Sequence, residues 1–123
     1  MSPETKECFE IHKQLGDHTA IVYRRLGTLS PDEADLLRLG ASCLKSATYR
    51  AITAANEREA VRSWIETEVG ECQIRSATYS ALRKGQISNL DYDTIFALAA
   101  SAFRVRQDEL ARLRRHMQTA AFQ

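Results

Sequence analysis

Ser30-Pro31-Asp32-Glu33-Ala34-Asp35-Leu36-Leu37-Arg38-Leu39-Gly40 opens the longest periodic stretch of the chain. A serine before a proline and two acids is a helix start: the proline fits the first turn and the acids face the positive end of the helix dipole. Leu36, Leu37, Leu39, Cys43, Leu44, Ala47, Ala51 and Ile52 then recur at helical spacing. The pattern predicts one long helix from Pro31 to about Ala55, with a kink at Gly40.

The same grammar extends in both directions. Upstream, Ser2-Pro3-Glu4 starts a helix carrying Phe9, Ile11 and Leu15, and Gly16 suits its C-terminal cap. Asp17 then caps a short helix with Ala20, Ile21, Tyr23 and Leu26, closed by Gly27. Downstream, Ala60, Val61, Trp64, Ile65 and Val69 mark a helix ending near Gly70. Ser76 to Lys84 forms another, stopped by Gly85 and followed by a loop over residues 86–89. Asp91 caps a helix with Ile95, Phe96, Leu98, Ala99, Ala102 and Phe103. A last one starts near Asp108-Glu109 and runs to Met117, with Arg112, Arg114 and Arg115 toward its negative end. No segment alternates like a strand. The expected class is all-α: a compact bundle of about six helices in a single domain spanning residues 1–123.

At 123 residues and 44% hydrophobic content the chain can bury a core. No run of eighteen apolar residues reads as a membrane span, and the opening MSPETKECFE lacks the basic-then-apolar order of a signal peptide. The expectation is a cytoplasmic protein. Cys8, Cys43 and Cys72 are too scattered for a disulfide framework, and with His12, His18 and His116 they give no zinc spacing. There is no GxSxG, Walker-type loop or HExxH. We therefore expect neither enzyme activity nor a cofactor nor a metal.

Net charge is only +1, but it is unevenly spread. Residues 1–74 hold 9 Lys/Arg against 12 Asp/Glu, and residues 75–123 hold 8 against 4. A basic half beside an acidic one suggests an anionic partner, or two halves that attract each other. The chain also repeats itself. Lys45-Ser46-Ala47-Thr48-Tyr49-Arg50-Ala51-Ile52 is echoed thirty residues later by Arg75-Ser76-Ala77-Thr78-Tyr79-Ser80-Ala81-Leu82. This is either coincidence in alanine-rich helices or a duplicated helical hairpin.

Two stretches carry a resemblance. They are Ile74-Arg75-Ser76-Ala77-Thr78-Tyr79-Ser80-Ala81-Leu82-Arg83-Lys84-Gly85 and Leu90-Asp91-Tyr92-Asp93-Thr94-Ile95-Phe96-Ala97-Leu98-Ala99, followed by Asp108-Glu109-Leu110. Together they resemble the second half of a Cro or lambda-repressor-like (XRE-type) helix-turn-helix domain, with Trp64 to Cys72 as the motif's first helix. The resemblance implies a transcriptional regulator that reads double-stranded DNA with the helix 75–84. Ile74, Tyr79 and Leu82 would face the core, leaving Arg75, Ser76, Ala77 and Ser80 toward base edges in the major groove. Arg83 and Lys84 would meet phosphates. Residues 56–123 would be the reading part. The acidic part, residues 1–55, would supply a homodimer contact, because a two-fold dimer meets two half-sites. The alternative is a helical module that binds a regulatory or nucleic-acid-processing protein without contacting DNA.

Overall fold

The structure, a computed structural model, describes residues 1–25 and 29–121. Among the described residues there are four helices: α1 (Pro3–Arg25), α2 (Pro31–Ile52), α3 (Glu57–Arg83) and α4 (Asn89–Ala121). Each packs against the next, and α1 closes the ring on α4, giving an antiparallel four-helix bundle in which the α2–α3 contact is the most extensive. Among the described residues there is no strand, and no helix long and apolar enough to cross a membrane. The helix stop expected at Gly27, and the place of Leu26 before it, lie outside the described residues.

Four helices replace the six expected, and the glycines explain the difference. A glycine ends a helix when the chain turns there through the left-handed region. Among the described residues only Gly85 does so, with φ +69°. Its N–H donates to the Leu82 carbonyl, and the next N–H, on Gln86, donates to the Ala81 carbonyl at 2.8 Å. This double closure is a Schellman motif. Gly16 and Gly70 instead lie inside α1 and α3, at points where another helix comes close. The helix start expected at Asp108-Glu109 is likewise interior, within α4.

The starts follow local chemistry more closely. Ser2 Oγ accepts from the Thr5 N–H at 3.1 Å. Asn56 Oδ1 accepts from the Glu59 N–H at 2.9 Å. Ser88 Oγ, rather than Asp91, caps α4 by accepting from the Asp91 N–H. Ser30 is the exception. It begins α2 without a side-chain cap, and its N–H is taken by Gln86 Oε1 at 3.4 Å.

The two similar segments of the sequence fall one on α2 and one on α3. The equivalent residues share environments. Leu44 and Ile74, Ala47 and Ala77, and Ala51 and Ala81 are buried, whereas Tyr49 and Tyr79 are exposed. The hydroxyls of Thr48 and Thr78 both donate to the carbonyl one turn back, on Leu44 and Ile74.

The core has two apolar clusters. One gathers Leu15, Val22, Leu37, Leu44, Ile74, Ile95 and Ala99. The other gathers Cys8, Ala51, Trp64, Val105, Leu110 and Leu113. Between them lies a buried polar layer of His12, Thr67, Glu71 and Arg106.

Candidate functional site

The helix expected to read DNA is the C-terminal half of α3. Residues 64–83, read from the sequence as two helices and a turn, run through Gln73 without interruption. The rotation of this helix is set further up, where Gly70 abuts α2. In register with that contact, Ala77 and Ala81 turn inward and are fully buried. The expected outward position of Ala77 is thus corrected: its methyl group is core. Tyr79, expected in the core, is 51% exposed. Ile74 is buried as expected, and Leu82 is partly buried against the first cluster.

The other candidate residues divide by partner. Ser80 Oγ donates to Glu33 Oε1 at 2.6 Å, and Lys84 Nζ donates to the same oxygen at 2.6 Å. Glu33 is almost completely buried, and its other oxygen has no partner among the described residues. The Lys84 ammonium, and secondly the Ser80 hydroxyl, hold its carboxyl below the usual range. Arg75 reaches back to Glu71 at 3.5 Å and lies over the Phe96 ring, 5.5 Å from its centroid. Arg83 is exposed and sits 5.9 Å from the centroid of Tyr79. Ser76 is exposed. Ser76, Tyr79, Ser80, Arg83 and Lys84 line one surface cleft of about 410 Å³.

The sequence reading missed the buried polar layer. Arg106 Nη1 donates to Glu71 Oε1 at 2.9 Å and lies 3.3 Å from both His12 Nε2 and Thr67 Oγ1. The His12 Nδ1–H donates to the Cys8 carbonyl at 2.8 Å, which leaves Nε2 as the acceptor facing Arg106. Burial, with the Arg106 charge adding to it, pushes the His12 pKa down to about 4, against the opposing hydrogen bond to Cys8. Burial likewise raises the Cys8 thiol far above its ordinary range. His12, Thr67 and Arg106 are wholly shielded from solvent and Glu71 nearly so. In this conformation the layer therefore joins helices and offers no route to a substrate. The signal was present in the sequence: Cys8, His12 and Leu15 share one face of α1, and Ala99, Ala102, Arg106, Glu109 and Leu113 share one face of α4.

Among the described residues no group of three or more His, Cys, Asp or Glu is placed to hold a metal ion. Several large apolar side chains remain at the surface. On α2 they include Leu36 and Leu39, 38% and 47% exposed, and on α3 Ile65 and Val69, 41% and 54% exposed. Leu39 and Val69 each precede one of the two glycines at which the helices touch, so their rows run side by side. No protein-family model, curated protein or solved structure matches the chain.

Proposed function

We propose that this chain is a helical interaction module that docks another protein on the outer face of the α2–α3 pair. The observation that carries the reading is the exposure of Leu36, Leu39, Ile65 and Val69 around the Gly40–Gly70 contact. Exposed apolar side chains that cluster, rather than scatter, favour an interface. Close approach of the two helices makes that face broad and rigid, which lowers the ordering cost of binding. The helix-turn-helix expectation loses support in parallel: its turn is absent from α3, Ala77 is core, and Ser80 and Lys84 are engaged by Glu33.

DNA binding remains as a second reading on one observation. Ser76, Ser80, Arg83 and Lys84 line a single cleft with Tyr79. Hydroxyls and cations on one helix face are what phosphate contacts require.

A titration of duplex DNA at two salt concentrations separates the two. Salt-dependent binding that weakens about equally on all sequences when Arg83 becomes alanine, with the salt slope falling by roughly one, favours DNA. No such binding, together with loss of a protein partner on Val69→Lys, favours the interaction module.

A further inference from the structure

At the end of the bundle where α1 and α3 begin lies a cleft of about 480 Å³, a size suited to small ligands. Ile52, Ala60, Trp64 and Leu113 give it an apolar floor. Set into its wall is a charged pair. Glu109 is 1% exposed, and Arg112 grips it from the same helix, Nε to Oε1 at 2.7 Å and Nη2 to Oε2 at 3.1 Å. Thr5 Oγ1 donates to the same Oε2 at 2.5 Å and accepts from Arg112 Nη2 at 2.9 Å.

Both carboxylates that line the cleft are engaged, Glu109 by Arg112 and Thr5 and Glu57 by His116, so a cationic ligand would have to displace one of these partners. The Arg112 guanidinium is different. Its bonds use Nε and Nη2, leaving Nη1 with no protein acceptor among the described residues, and the side chain is 30% exposed. Arg112 is therefore fixed in place by a buried carboxylate while keeping donor capacity. Fixing a fork of N–H donors in advance is what anion recognition needs.

The geometry points to a binding site for a small carboxylate with an apolar body. The body lies over Ile52, Ala60 and Leu113, above the buried Trp64, and the carboxylate takes the Nη1 donor of Arg112. Glu109 and Thr5 are positioning residues. This site is separate from the α2–α3 face and does not depend on it.

Trp64 is the one tryptophan of the chain, so its fluorescence reports the cleft directly. The full chain is titrated with phenylacetate, and in parallel with phenylethanol, which keeps the body and lacks the charge. Phenylacetate is expected to give a saturable change, with phenylethanol about tenfold weaker or more, the size of one charge-assisted hydrogen bond. Arg112→Gln should remove that difference. Because it also strips Glu109 of its partner, Ala60→Phe serves as a second variant: it fills the floor and should abolish binding of both compounds with the helical signal unchanged. No saturable change, equal affinity for acid and alcohol, or wild-type binding by the folded Ala60→Phe variant would overturn the assignment.

Discussion

Gly40 and Gly70 face each other across the α2–α3 contact. A Cβ added to Gly70 would lie 2.7 Å from the Gly40 carbonyl oxygen, and one added to Gly40 would lie 3.0 Å from the Gly70 oxygen. The two glycines are thirty residues apart, the same spacing as the repeated Lys45–Ile52 and Arg75–Leu82 segments. The two helices thus cross antiparallel at glycines that stand in the same register to the two similar segments. The backbones meet there because neither has a side chain to hold them apart.

Gly70→Ala should therefore destabilise. Its added methyl also meets the Leu44 amide nitrogen at 2.7 Å, and backbone cannot step aside. Overpacking of about 1–3 kcal/mol should outweigh the gain of roughly 1 kcal/mol in helix propensity. Gly16→Ala is the control. The three atoms nearest its methyl all belong to the Lys45 side chain, the closest at 3.0 Å, whose flexible stem can move. That variant should be neutral or stabilised by up to about 1 kcal/mol. Urea unfolding of both gives the comparison.

Arg106→Ala should cost up to about 3–5 kcal/mol, because it leaves the buried Glu71 carboxylate with only the more distant, half-exposed Arg75 as a cation, at 3.5 Å. Arg106→Met combined with Glu71→Leu removes both charges and should be clearly more stable than the single variant. Thermal unfolding of the two checks this. Equal losses would mean that packing, and not the unpaired charge, sets the cost.

Stability should fall between about pH 6.5 and pH 4. His12 is held neutral in the fold, its pKa pushed down to about 4, while the unfolded chain takes up the proton near its ordinary value of 6.5. The unfolded state thus binds more protons within this window, so acid favours unfolding there. The integrated loss is roughly 3 kcal/mol. His12→Gln should flatten this part of the pH–stability curve; an unchanged curve would place the titration on another group.

Legibility in the sequence followed a physical line. Signals that act within a few residues were readable: Ser2-Pro3 and Ser30-Pro31 start helices, and Gly85 stops one. Gly16 and Gly70 carry the same residue type, but their use is set by a neighbouring helix far away in sequence. They therefore read as stops and proved to be contacts, and this turned four helices into about six. The rotation of α3 was hidden for the same reason. Ala77 and Tyr79 exchange their expected places because Gly70 packs on α2, which the local pattern does not encode. Arg106, Glu71 and His12 lie on three different helices, and only the fold brings them together.

The most direct test of the proposed interaction face is photo-crosslinking in cells, with a crosslinking amino acid at Val69 and, as a control, at Arg114 on the opposite part of the sequence. The account predicts a discrete protein adduct from position 69 and none from position 114. The adduct should disappear when Leu39 on the adjacent helix is changed to glutamate. An added mass of 13.9 kDa would identify a second copy of the chain and contradict the docking of another protein; any other mass supports it. The absence of an adduct at Val69, or an adduct indifferent to Leu39→Glu, would contradict it.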